Sequence, residues 1–230
     1  MTGNGSAPDD GERVLGETDP HGEEPLLTAG APAAAAEVAV VLLHGRGATA
    51  QGIINLFDPA YRHGVAFLAP AAERSRWYPA AFDAPRAANE PHLTSAVGRV
   101  RDAVETAAVA GVPPERTVVV GFSQGACVAA EFAARDPREY GGVFVLAGAL
   151  PGSSAEERRV DGSLSGTPTF LGCSDDDPHV PVDRVRETAA TFEAAGAAVT
   201  VDVAAGEGHA VTEASFDALS ARLSALLDAD

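Results

Sequence analysis

The stretch Val118-Val119-Val120-Gly121-Phe122-Ser123-Gln124-Gly125-Ala126 constrains this chain more than any other. Three β-branched residues run into Gly-x-Ser-x-Gly, and an alanine-rich helical pattern from Ala126 to Arg135 begins at once. Strand, serine and helix in that order need a turn so sharp that the strand end meets the first helical turn. A Cβ at Gly121 or Gly125 has no room there. Ser123 takes a strained backbone conformation, and its hydroxyl stands clear of the sheet. The competing reading is a glycine-rich βα turn with an incidental serine, and the strand and helix placed directly on either side favour the sharper turn.

The rest of the chain supplies the elements such a turn requires. The run Ala39 to Leu43 is apolar at every position, as in a parallel strand buried on both faces. It leads to His44-Gly45-Arg46-Gly47 and a helix over residues 49–57. A short strand spans 65–69. Residues 71–91 then show no period, carry Trp77, Tyr78 and Phe82, and read as a functional loop. Val97, Val100, Val104 and Ala108 recur at helical spacing, which predicts a helix over 92–110 ended by Gly111 and Pro113. Further strands are predicted at 142–146, 168–172 and 199–203, with helices over 182–195 and around Phe216, Leu219, Leu223 and Leu226. Alternating strands and helices mean an α/β fold with a mostly parallel sheet. No internal repeat is present. Residues 1–24 are rich in Gly, Asp, Glu and Pro and read as an acidic, disordered tail, leaving 25–230 as a single domain.

Charge narrows the function classes. Net −17 arises from 33 acidic residues against 16 basic ones, and every basic residue is arginine. That balance disfavours nucleic acid and anionic membranes as partners. Acidic, lysine-free surfaces are also those of proteins from salt-loaded cytoplasm, so a halophilic source is one expectation; a GC-rich genome explains the same composition. No targeting signal is visible near the N-terminus, no apolar stretch is long enough to span a bilayer, and a cytoplasmic location is expected. Cys127 and Cys173 make no disulfide framework and have no metal-ligand spacing. A homodimer is left open.

A serine hydroxyl is a poor nucleophile unless a base lies within hydrogen-bond reach and a third group orients that base. Asp177 follows the 168–172 strand, and His209 follows one further helix and strand. Loops leaving the carboxyl ends of successive parallel strands gather on one edge of a sheet, so Ser123, Asp177 and His209 are expected to converge. Three aspartates are consecutive, Asp175, Asp176 and Asp177. Pro178 biases Asp177 to extended backbone, and it is taken as the orienting residue. His209 sits beside Gly206 and Gly208, which allow close approach to the serine. His21, His63 and His92 read as surface residues; His179 can line the site but reads as exposed. A base must be neutral, so activity should fall below about pH 6.5, the ordinary imidazole value.

Negative charge on a reacting carbonyl oxygen needs main-chain N–H donors. Gln124, after the serine, and Arg46, in the loop after the first core strand, are the expected pair. The Arg46 side chain either binds a substrate carboxylate or makes salt bridges. Gly45-x-Gly47-x-x-Ala50 also fits a dinucleotide-binding turn, but no acidic residue ends the next strand to hold a ribose, and no cofactor is expected. Trp77, Tyr78 and Phe82 are candidate pocket residues.

Five motifs in order, Leu43-His44-Gly45-Arg46-Gly47, Arg76-Trp77-Tyr78-Pro79, Gly121-Phe122-Ser123-Gln124-Gly125, Asp177-Pro178-His179-Val180-Pro181 and Gly208-His209, resemble the phospholipase/carboxylesterase family. That family includes the acyl-protein thioesterases, and the resemblance covers about residues 36–228. It implies an α/β-hydrolase fold with helices on both faces of the sheet. It further implies Ser123, His209 and Asp177 as a catalytic triad, hydrolysis of carboxylic esters or thioesters, and no metal or organic cofactor. Arg46 stands where the acyl-protein thioesterases usually have an apolar residue, and no long apolar insertion is present to cover an acyl tail. A small-molecule ester is therefore the expected substrate, with a thioester or lysophospholipid as the alternative. A non-catalytic ligand-binding module would show a damaged triad or a blocked oxyanion site, and neither is visible.

Overall fold

Continuous apolar sequence is the signature of a strand covered on both faces, and Val38–Leu43 (β2) is buried at all six positions. A computed structural model describes residues 19–157 and 159–229 of the chain. The remaining strands are β1 (Leu26–Gly30), β3 (Val65–Pro70), β4 (Thr117–Phe122), β5 (Gly142–Leu146), β6 (Pro168–Ser174) and β7 (Ala198–Ala204). They form one seven-stranded sheet in the order β1-β3-β2-β4-β5-β6-β7. Only β1 runs antiparallel, paired with β3 from Leu26 opposite Pro70 to Gly30 opposite Ala66. Every other pair is parallel, so β2, β4, β6 and β7 end on the same edge.

Helices cover both faces. α2 (His92–Val109), α3 (Gln124–Arg135) and α4 (Val182–Ala194) pack on the face that carries Val41, Val119 and Val145. α1 (Ala50–Phe57) and α5 (Glu213–Leu227) pack on the face of Val40, Val120 and Phe144. The expected helix boundaries agree within a residue or two, because local signals set them. Thr49 caps α1 by accepting from the Gly52 amide at 3.0 Å, which shifts the first helical residue from 49 to 50. Gly111, at φ +102°, ends α2 in the left-handed region that glycine favours.

Two expectations change. Residues 19–24, placed in the tail by composition, lie against the domain; the rest of that tail, residues 1–18, falls outside the described residues. His21, expected on the surface, is fully buried. Its amide donates to Ser95 Oγ (2.9 Å), its Nε2 lies 2.9 Å from the Trp77 carbonyl, and its Nδ1 accepts from the Glu73 amide (3.1 Å). Burial holds its pKa below the ordinary 6.5. Of the other two, His63 is exposed and His92 half-buried.

The segment 71–91 is irregular apart from short 3₁₀ turns at Glu73–Ser75 and Arg86–Asn89, yet it is tied at many points. The Gly47 amide donates to the Ser75 carbonyl (2.7 Å) and the Gly152 amide to the Phe82 carbonyl (2.7 Å). Asn89 accepts from the Ala80 amide at 2.8 Å and donates to the Ala81 carbonyl at 3.1 Å. Main-chain amides from elsewhere in the fold and the segment's own Asn89 thus make a fixed wall of a largely irregular stretch. Among the described residues, no helix is long and apolar enough to cross a membrane.

Candidate active site

The turn after β4 takes the form its glycines require. A Cβ on Gly121 would lie 2.2 Å from the Gly125 carbonyl oxygen, and one on Gly125 would lie 2.2 Å from that of Leu43. Between them Ser123 holds φ 56°, ψ −120°, a strained conformation for a non-glycine residue. Its own amide is spent on the Leu146 carbonyl of β5 at 2.9 Å.

The loops after β6 and β7 bring two more side chains to this point. His209 Nε2 is 2.8 Å from Ser123 Oγ, and His209 Nδ1 is 2.7 Å from Asp177 Oδ2. An ionised carboxylate only accepts, so the proton sits on Nδ1 and leaves the Nε2 lone pair facing the serine hydroxyl. The Asp177 side chain is fully buried and that of His209 is 18% exposed. The second oxygen of Asp177 accepts from the amides of His179 (2.8 Å) and Val180 (3.1 Å), which fixes the carboxylate plane. Phe122 lies against one side of the His209 ring at 5.3 Å, and His179 meets it edge-on at 4.8 Å. This arrangement can move a proton from an alcohol to an imidazole whose charge is then balanced by a buried carboxylate.

Gln124 and Arg46, the residues expected to hold a developing oxyanion, both line the cavity at Ser123. Gln124 is the first residue of α3, so its N–H has no acceptor within the helix. Gly45, which precedes Arg46 in the chain, runs so close to the serine that a Cβ there would come within 3.3 Å of Ser123 Cβ. The Arg46 side chain makes a set of contacts that neither expectation named. Its Nη2 bonds the carbonyls of Tyr78 (3.0 Å), Pro79 (3.3 Å) and Ala80 (2.9 Å), with Nη1 3.2 Å from Pro79 O, so it braces the 78–80 main chain.

The cavity over Ser123, about 440 Å3, is lined by Arg46, Tyr78, Phe82, Asp83, Cys127 and His179 among others. Of the three candidate pocket residues, Tyr78 and Phe82 line it. Trp77 does not. It is fully buried, its Nε1 donates to the His44 carbonyl at 2.8 Å, and its ring packs on those of His44 and His21. An indole has one polar edge, and satisfying it under the β2 loop lets the whole ring join the core. His179 is exposed, yet it belongs to the cavity rim.

Sequence reasoning missed the Gln124 side chain. Its Oε1 accepts from the Trp77 amide (2.9 Å) and its Nε2 donates to the Tyr78 carbonyl (2.8 Å), joining the serine turn to the cavity wall. Its place after the serine concealed this second task. Cys127 is buried, and desolvation raises its thiol pKa, so it is poorly suited to nucleophilic attack. Among the described residues no group of three or more His, Cys, Asp or Glu side chains is arranged to hold a metal ion.

Known proteins resemble this chain in sequence and in fold. The phospholipase/carboxylesterase family matches residues 28–227. Acyl-protein thioesterase 1 of Saccharomyces cerevisiae is 27% identical over 164 residues, spanning 62% of this chain and 71% of that protein. The corresponding protein of Yarrowia lipolytica is 28% identical over 158 residues, 61% of this chain and 70% of its own. Among solved structures, a phospholipase/carboxylesterase from Dyadobacter fermentans superposes with a TM-score of 0.82 at 36% identity, covering 89% of this chain and 97% of that one. The Bacillus cereus carboxylesterase superposes at 0.66 with 15% identity, covering 89% and 95%, a likeness of fold alone.

Proposed function

This chain belongs to the phospholipase/carboxylesterase family of α/β-hydrolases, and on that premise we propose that it is a serine esterase cleaving carboxylic esters of small or medium acyl chains. The observation that carries the reading is the pair of short contacts at His209, 2.8 Å to Ser123 Oγ and 2.7 Å to Asp177 Oδ2. In the proposed reaction, His209 Nε2 takes the Ser123 proton as Oγ bonds to the acyl carbon. The carbonyl electron pair moves onto oxygen, where the Arg46 and Gln124 amides hold it. Collapse of this intermediate breaks the bond to the alcohol, which leaves with the proton from His209. Water repeats the sequence on the acyl-enzyme, and the acid departs. Asp177 keeps the imidazole in the required tautomer and stays ionised throughout. Each oxyanion donor is worth on the order of 10²–10³ in turnover.

The cavity supports small acyl groups. Its volume is in the range of ordinary small-molecule sites, its rim carries Arg46, Asp83 and His179, and its wall is pinned rather than open. A thioesterase is the second reading, since it uses the same steps with a thiol leaving and the two yeast relatives described above are named as acyl-protein thioesterases.

A graded panel of p-nitrophenyl esters and acyl-thioesters, run with wild type and Ser123→Ala, tests both. The proposal expects turnover of short and medium esters and a loss on the order of a millionfold in the variant. Thioester turnover far above ester turnover at matched chain length would favour the second reading. Full activity in Ser123→Ala would overturn both.

A further inference from the structure

Strands β6 and β7 pair through to Ser174 opposite Ala204, and beyond that point side chains continue the ladder. The Gly206 amide donates to Asp175 Oδ1 at 2.9 Å, the Glu207 amide to Ser174 Oγ at 3.0 Å, and the Gly208 amide to Asp176 Oδ1 at 2.8 Å. Ser174 Oγ in turn lies 2.6 Å from Asp176 Oδ1 and 3.3 Å from the Ala204 carbonyl. Three consecutive N–H groups that immediately precede His209 are therefore all held by side-chain oxygens of residues 174–176.

The glycines make this possible. Gly206 (φ +70°) and Gly208 (φ +62°) are left-handed, and a Cβ at either would meet nothing within 4 Å. Conformation, not space, selects glycine here. With two such residues around Glu207, all three amides turn toward the β6 loop, a concave arrangement that favours negatively charged oxygens. The Ser174 hydroxyl and then the Gly208 amide hold the Asp176 carboxyl below its ordinary value of 3.8.

Building on the esterase reading, we propose that Ser174, Asp175 and Asp176 are positioning residues that clamp the 206–208 main chain and so hold the His209 imidazole at hydrogen-bonding distance from Ser123. The run of three aspartates is then divided in two. Asp177 acts on the imidazole side chain, and Asp175 and Asp176 act on the backbone that carries it. A loop with two left-handed glycines has a wide choice of conformations, and an imidazole misplaced by about 1 Å can cost 10²-fold in rate. The clamp removes that choice without touching the cavity wall, so its loss should appear in kcat and leave KM in place.

The test uses the full chain with p-nitrophenyl butyrate. Asp176→Ala should lower kcat about 10- to 100-fold, with KM changed by no more than about twofold. Asp176→Asn keeps an oxygen for the Gly208 amide and should return kcat to within about threefold of wild type. In a His209→Ala background the Asp176→Ala change should cost almost nothing more, because the clamp acts only through that imidazole. If Asp176→Ala does not fold, Asp175→Ala carries the same comparison through Gly206. A wild-type kcat in a clamp variant whose melting temperature has fallen, or an equal loss in both backgrounds, would overturn the clamp. Ser123→Ala, run beside them, separates this from failure of the esterase reading, since a serine variant that turns over normally removes that reading whatever the clamp does.

Discussion

A carboxylate beside an imidazole has two separable effects, and Asp177→Asn distinguishes them. The substitution keeps the shape and the acceptors for the amides of His179 and Val180, but an amide nitrogen facing Nδ1 favours the wrong tautomer. Turnover should fall about 10⁴-fold with KM nearly unchanged, measured by steady-state kinetics. A fall of tenfold or less would mean that Asp177 has no such role. Trp77 poses a different question. It is fully buried with its Nε1 bonded to the His44 carbonyl, so Trp77→Ala should cost about 3–5 kcal/mol of stability by urea unfolding. Ser123 and His209 were legible in the sequence because glycines mark the local backbone each needs. Trp77, Arg46 and the Gln124 side chain were not, because their partners lie far along the chain and no local pattern reveals which carbonyl a long side chain will reach.

Among the elements, the junction of β4 and α3 concentrates the tightest packing. α3 approaches the end of β2 so closely that only glycine fits at 125, where a Cβ would sit 2.2 Å from the Leu43 carbonyl oxygen. Gly125→Ala should therefore destabilise the fold by about 3 kcal/mol and also displace the loop that carries the Arg46 amide, lowering kcat. Denaturant unfolding and kinetics on the same variant check both, and unchanged values in each would mean the junction is looser than it looks. The order and type of the strands and helices were readable from apolar runs and period, since each element's burial is written into its own residues. The pinning of 71–91 was not readable, because it arises from Arg46, Gln124 and Gly152, contributed by other parts of the chain. For the same reason composition misplaced residues 19–24; a single histidine buried against Trp77 outweighs their polar character.

At the scale of the whole molecule, charge and pH set the limits of stability. Burial holds His21 and His44 below the ordinary imidazole value of 6.5. The unfolded chain then binds more protons than the folded one below that value. Stability from these two groups is complete above about pH 6.5 and lost as pH falls toward their lower folded values. The urea midpoint should stay level from pH 8 to 7 and decline from 6.5 to 5; a midpoint constant down to pH 5 would contradict the burial argument. Net −17 also implies self-repulsion, so the melting temperature should rise between dilute buffer and molar KCl. An unchanged value would remove the case for a salt-adapted surface. The parallel sheet has one further consequence, since it gathers the loops after β4, β6 and β7 on one edge and lets residues 123, 177 and 209 meet. The most direct test of their proposed use is covalent labelling with a fluorophosphonate, followed by peptide mass mapping. Esterase activity should disappear in step with one phosphonate per chain, carried by Ser123. Activity lost through a label on another residue, or retained after Ser123 is fully labelled, would contradict it.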